Sequence, residues 1–142
     1  MKFWDSSAII PLLIEEPSRP KLLDYLAVDP IMLAWWATPV ECVSAISRRE
    51  RENSLSVAAT TEALARLRVM SESWEEVQPT RQVRTVAQRV LRTHSLRAAD
   101  ALQLAALIAA AEGDPTSLPF VCLDERLSQA AQREGFSVLV AE

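Results

Sequence analysis

The chain is poor in the residues that build several common kinds of site. It has two cysteines, Cys42 and Cys122. That is too few for a disulfide framework or a zinc site, which usually takes four Cys or His ligands. Both lie in apolar contexts and read as small core residues. There is one histidine, His94, and no Ser-His-Asp arrangement is evident. His94 lies next to a helix end and reads as a surface or C-terminal dipole residue. Lys2 and Lys21 are the only lysines, and both are poorly placed for a phosphoacceptor site built on Asp5. The longest apolar run, Leu104 to Ala111, falls short of the roughly 20 residues that span a bilayer. Met1 to Asp5 does not read as a secretory leader, because a negative charge arrives before any long apolar stretch. These absences lead to the expectation of a cytoplasmic protein with no membrane segment.

What is present is an ordinary globular composition. Hydrophobic residues make up 49% and charged residues 24% of 142 residues, enough for one domain, 1-142, with a real core. No internal repeat, linker or low-complexity segment interrupts it. The net charge of −4 argues against a general nucleic-acid coat protein. The acids are unevenly spread, however. None lies between Glu76 and Asp100, where Arg81, Arg84, Arg89, Arg92 and Arg97 occur, so the acids elsewhere mask a local basic patch.

Short apolar runs alternate with helical patterns. Met1–Trp4, Ile31–Trp35, Pro119–Leu123 and Phe136–Val140 read as strands, and Trp74–Gln78 as a weaker one interrupted by Glu75 and Glu76. Helices are expected over Ala8–Ile14, Pro20–Val28, Thr38–Glu52, Ser56–Ser71 and Thr80–Thr93. A further Ala/Leu helix follows Ser95, its expected N-cap, and is stopped by Gly113-Asp114-Pro115; the last helix covers Glu125–Glu134 and ends at Gly135. Thr38, Pro39 and Glu41 fit N-cap, N1 and N3 of a capping box. Strands that are continuously apolar and alternate with helices imply a parallel sheet covered on both faces.

The Ala/Leu helix carries one carboxylate, Asp100, in its first turns. A buried unpaired charge is costly, so Asp100 needs a partner, a cation or a wet cleft. Three other acids sit at comparable places. Asp5 follows the first strand, Asp124 follows the Pro119 strand, and Glu41 opens the helix after the Ile31 strand. Each has an ordinary explanation as a helix cap or a favourable charge near a helix N-terminus. Together, four acids on the rim where open α/β sheets bind ligands would repel one another. A hard divalent cation, Mg2+ or Mn2+, would remove that conflict.

The segments Phe3-Trp4-Asp5-Ser6-Ser7-Ala8, Pro39-Val40-Glu41-Cys42-Val43-Ser44-Ala45, Leu96–Ala105 and Phe120–Leu127 resemble the four acidic motifs of PIN-domain nucleases. In size and order the chain resembles the VapC-type toxins of toxin–antitoxin pairs. The resemblance implies a three-layer α/β/α PIN-like domain with a central, mostly parallel sheet of four or five strands, acting as a Mg2+-dependent endoribonuclease. It makes Asp5 and Asp100 the principal metal ligands. Glu41 and Asp124 fill the other two acidic positions, directly or through water, and Ser6 bonds a metal water or a phosphate oxygen. One departure is Cys122, where the family often has Thr or Ser two residues before the fourth acid. A thiol is the poorer donor, which bears on the support of Asp124.

The resemblance also implies a homodimer, an RNA substrate and a cognate VapB-like antitoxin. Arg81, Arg84 and Arg92 fall near one helical face and suit phosphate binding, against the plain alternative of a solvated face. Arg48, Arg49 and Arg51, diluted by Glu50 and Glu52, read as solvated or interfacial. Trp35 and Trp36 suit core or dimer packing, or base stacking. Apolar surface around Leu12, Leu13 and the second helix is a candidate docking groove. The competing reading is a catalytically inactive PIN-like RNA- or protein-binding module.

Overall fold

The computed structural model describes residues 1–140 of the chain. Five strands form one sheet: β1 (Lys2–Trp4), β2 (Met32–Trp35), β3 (Glu75–Val77), β4 (Phe120–Val121) and β5 (Val138–Leu139). Their order is β3-β2-β1-β4-β5 and every neighbouring pair is parallel. Seven helices cover it: α1 (Ser6–Leu13), α2 (Arg19–Val28), α3 (Thr38–Arg51), α4 (Val57–Ser73), α5 (Arg81–Thr93), α6 (Ala98–Ala110) and α7 (Glu125–Arg133). This is a three-layer α/β/α PIN-like fold.

Successive strand residues point to opposite faces, and the core divides accordingly. Phe3, Leu33, Trp35 and Phe120 pack with Val83, Ala87 and Val90 of α5 and Leu104 and Leu107 of α6. Trp4, Met32, Ala34 and Val121 pack with Ile9 and Leu13 of α1, Ile46 of α3 and Leu67 of α4. Both faces being covered explains why β2 and β4 are apolar at every position rather than at every second one, and why Lys2 is the one polar residue of β1. The edge strand β3 is the exception, with Glu75 exposed, which is why its charges were readable as an interruption.

The chain builds one half of the sheet outward from β1 through β2 to β3. It then returns through α5 and α6 to add β4 and β5 on the other side. The order reverses between β1 and β4, and the crevice outside the carboxyl ends there is where such sheets bind ligands. Among the described residues no helix is long and apolar enough to cross a membrane.

Two helix starts differ from the sequence expectation. Thr38 is the first residue of α3, not its cap; Ala37 occupies the cap with no side-chain bond. Arg97, not Ser95, is the cap residue of α6, also without a side-chain bond. The Thr38 side chain is committed elsewhere, to Gln103. The other caps follow the sequence: Asp5, Ser56, Thr80 and Asp124 each accept from a backbone N–H of their own helix. After α7, Gly135 takes a positive φ of 99°. Its N–H donates to Gln132 at 3.0 Å and that of Phe136 to Ala131 at 3.0 Å, the paired bonds of a Schellman stop.

Candidate active site

Asp5 is the centre of the rim. Its N–H still donates to Val121 of β4 at 3.0 Å, so the sheet itself fixes the backbone. Its side chain is 4% exposed and fully engaged. Oδ2 accepts from Ser7 Oγ at 2.5 Å and from Ser7 N–H at 3.2 Å. Oδ1 accepts from Gln103 Nε2 at 2.7 Å. Burial pushes this carboxyl above its usual range, the Ser7 and Gln103 bonds pull it back in part, and the charge of Asp124 raises it again.

Gln103 went unnoticed in the sequence, and it is the residue that ties the site together. It is completely buried in α6, and its Oε1 accepts from Thr38 Oγ1 at 3.4 Å. The two bonds fix which end of the amide is which. Thr38 is therefore turned inward as the anchor of Gln103, which is why it does not cap α3. The available signal was spacing: Gln103 lies three residues after Asp100, on the same side of a helix, and is the one polar side chain among Ala and Leu.

Glu41 stands on α3 with Oε2 3.5 Å from Ser6 Oγ. Burial, then the charges of Asp5 and Asp100, push its carboxyl up to about 7, against a small lowering by Ser6. Asp100 lies in the first turn of α6. Burial, Asp124 and Asp5 raise it, while Arg97 and Arg126 hold it down. Asp124 is exposed, and its Oδ1 caps α7 by accepting from Leu127 N–H at 2.9 Å. The four acids thus come from four elements and lie within electrostatic reach of one another, although their sequence positions span most of the chain.

Cys122 acts differently from the sequence expectation. Its thiol lies 3.6 Å from Asp5 Oδ2 and 3.5 Å from the Asp124 carbonyl oxygen, and its one proton serves one of them at a time. The side chain it supports is that of Asp5; the Asp124 carboxylate depends on the α7 N-terminus. Burial, and next Asp5, push both the Cys122 and Cys42 thiols well up, so both are inert, protonated core groups.

The donors that face the rim are carboxylate oxygens, the chemistry of a hard cation. Among the described residues no three acidic, histidine or cysteine side chains are close enough to hold an ion by themselves. That excludes a closed protein cage of the structural-zinc kind. The four acids are related here by their charges rather than as a closed set of ligands, and carboxylate oxygens are the donor type that a hard divalent cation would take.

Arg81, Arg84 and Arg92 are exposed on α5, but the cations that act on Asp100 are Arg97 and Arg126. Arg126 was missed; its signal was its place two residues after Asp124. Arg49 is not diluted by its neighbours in sequence but pairs with Glu16, and Arg48 lines the open mouth beside Ser6 and Glu41. Trp35 is core, at 4% exposure, and Trp36 is half exposed. His94 caps the end of α5 as expected but is buried, not on the surface, because Glu134 Oε2 lies 2.8 Å from its Nε2. Leu12 lines an apolar groove of about 760 Å3 with Leu26, Met32, Val69 and Met70, between α1, α2 and α4. Leu13 is buried and lines a separate cleft with Arg49, Leu55 and Arg66 instead.

No family model and no curated protein matches the sequence. Solved structures do. VapBC2 from Rickettsia felis, bound to a DNA fragment from its promoter, superposes with a TM-score of 0.69 at 10% identity, covering 99% of this chain and 98% of that one. FitAcB from Neisseria gonorrhoeae gives 0.67 at 14%, covering 98% and 96%. VapC20 from Mycobacterium tuberculosis, a toxin that cleaves the sarcin-ricin loop, gives 0.66 at 19%, covering 96% of both. At these identities the likeness establishes a shared fold along the whole chain.

Proposed function

We propose that the protein is a Mg2+-dependent endoribonuclease and the toxin of a toxin–antitoxin pair. The observation that carries this reading is the convergence of Asp5, Glu41, Asp100 and Asp124 at the sheet's switch point, with three of the four carboxyls held above their usual range. A fold does not need that repulsion; a site that receives a cation does. The fold shared with toxin chains, one of them named for cleaving RNA, supports the substrate class.

Asp5 and Asp100 would hold the ion, with Glu41 and Asp124 reaching it directly or through water; Mn2+ suits the same oxygens. When bound, the ion activates a water near neutral pH and offsets charge on the phosphoryl oxygens. The chain's own residues prepare that chemistry. Gln103 and Ser7 hold Asp5 in one orientation. Ser6 presents a hydroxyl beside Glu41 at the open mouth, where it would meet a water or a phosphate oxygen. Glu41, pushed up to about 7 in the absence of a cation, would give up its proton as the ion binds. Arg97 and Arg126 supply positive charge where a polyanion approaches, with Arg81, Arg84 and Arg92 as a more distant basic face.

The groove lined by Leu12, Leu26, Met32, Val69 and Met70 would take an apolar segment of the antitoxin. Exposed Trp36, Val40 and Val43 give a second copy of the chain a surface beside the mouth of the site.

The test is cleavage of total RNA with Mg2+, with EDTA, and by Asp100→Asn. Discrete fragments that vanish with EDTA and in the variant are expected. Equal cleavage by the variant would place the activity elsewhere. Folded protein that binds RNA without cutting it in any lane would favour the inactive binding module.

A further inference from the structure

A second concavity, between α7 and the turn that precedes α6, has a volume of about 90 Å3. That holds several waters or one tetrahedral oxyanion. One wall is the face of α7 that carries Arg126, Gln129 and Arg133, at spacings of three and four that stack along one side of a helix. The other wall is His94 and Ser95.

The nearby acid is already satisfied. Glu134 accepts from Arg89 at 3.1 Å and lies 2.8 Å from His94 Nε2. Arg126 and Arg133 take part in no ion pair among the described residues, whereas Arg19, Arg49, Arg66 and Arg89 do. His94 Nδ1 is buried without a hydrogen-bond partner. The cleft therefore combines two guanidinium groups that form no ion pair, an amide and a hydroxyl, and no carboxylate lines it; the charge of Arg126 also reaches Asp100. It also adjoins the acids. Arg126 lies two residues past Asp124, and the turn at His94 and Ser95 leads into the helix that carries Asp100. A strand of nucleic acid entering a ring of carboxylates is repelled, and unpaired arginines beside that ring offset the repulsion with bidentate geometry.

We propose that this cleft is an oxyanion subsite in which Arg126 and Arg133 grip the backbone phosphate adjacent to the one held over the acids. The inference rests on the RNA-cleavage reading for the source of the phosphate, and two measurements keep the two apart. In the first, the protein in EDTA is titrated with inorganic phosphate and followed by NMR. The Arg126 and Arg133 side-chain signals should shift more than that of Arg81, and the local shift should vanish in Arg126→Gln/Arg133→Gln. Both side chains are exposed, so the double variant keeps the fold. Absence of a localised shift overturns the subsite whatever RNA does.

In the second, a labelled single-stranded RNA of about ten nucleotides is bound in EDTA across a salt series. The double variant should bind roughly tenfold more weakly, and its slope of log Kd against log salt should fall by about 0.7, the share of one single-strand phosphate. Unchanged affinity, with wild-type protein binding, overturns the subsite and leaves the nuclease reading standing. A localised phosphate shift with no RNA binding by either protein upholds the anion site and removes the RNA reading. Loss of antitoxin affinity alone, with RNA affinity unchanged, also overturns the subsite.

Discussion

Glu41 is the residue at which the conflict between stability and function is sharpest. Its carboxyl rises from 4.5 to about 7 through burial and through Asp5 and Asp100. A folded-state value above the unfolded one means that folding favours the protonated form. That contribution is present below about pH 4.5 and is lost as pH rises to about 7, at most roughly 3 kcal/mol. Glu41→Gln keeps the shape and removes the charge. In EDTA the variant should therefore be the more stable protein at pH 7.5, by about 1–3 kcal/mol, and no more stable than wild type at pH 4.5. Urea unfolding at the two pH values measures this. Equal stability at both would mean that Glu41 is neither desolvated nor opposed by Asp5 and Asp100. Asp5, Asp124 and Glu41 were legible as candidates because each sits at the start of a helix that follows an apolar strand. Their mutual approach was inferred from the shared rim, whereas the order β3-β2-β1-β4-β5 that produces it was not legible. Arg126 carried a signal in its place two residues after Asp124, but only the packing of α7 beside α6 brings it to act on Asp100.

At the scale of elements, α6 organises the site. It supplies Asp100 from its first turn and Gln103 from the next, and through Thr38 it links β1 to the start of α3. Its Ala and Leu content made the helix easy to read and its buried polar residue easy to overlook, since composition averages a single Gln away. The Thr-Pro-x-Glu pattern of α3 misled for a related physical reason. A hydroxyl that caps a helix in isolation is worth about 1 kcal/mol, and a buried amide left without partners costs more, so Thr38 turned to Gln103. Gln103→Leu preserves volume and strips Asp5 Oδ1 of its donor. Cleavage should fall about 10- to 100-fold and half-saturating Mg2+ should rise, with the far-UV circular dichroism spectrum unchanged. A wild-type rate and metal dependence would mean that Ser7 and Cys122 orient Asp5 without help.

At the scale of the whole molecule, the doubly wound sheet separates two surfaces. The acids collect at the carboxyl ends of β1 and β4, whereas the apolar groove runs between α1, α2 and α4 on one face of the sheet. The helix pattern gave Leu12 and the second helix, but the wall contributed by α4 was not legible. The spacing of Val69 and Met70 marks a buried face as readily as a groove, and only the tertiary arrangement leaves Val69 64% exposed. A polypeptide seated there inhibits a site it does not enter, or enters it only with its end. The two surfaces should then be separable by mutation. Val69→Asp places a charge where an apolar segment would have to desolvate it, at a cost of several kcal/mol, without touching any of the four acids. RNA cleavage by the variant should match wild type, and the antitoxin should protect RNA from wild-type protein but not from the variant. Protection of both proteins alike would place the antitoxin elsewhere. Loss of cleavage in the variant, with the fold intact, would mean that the groove belongs to the RNA path.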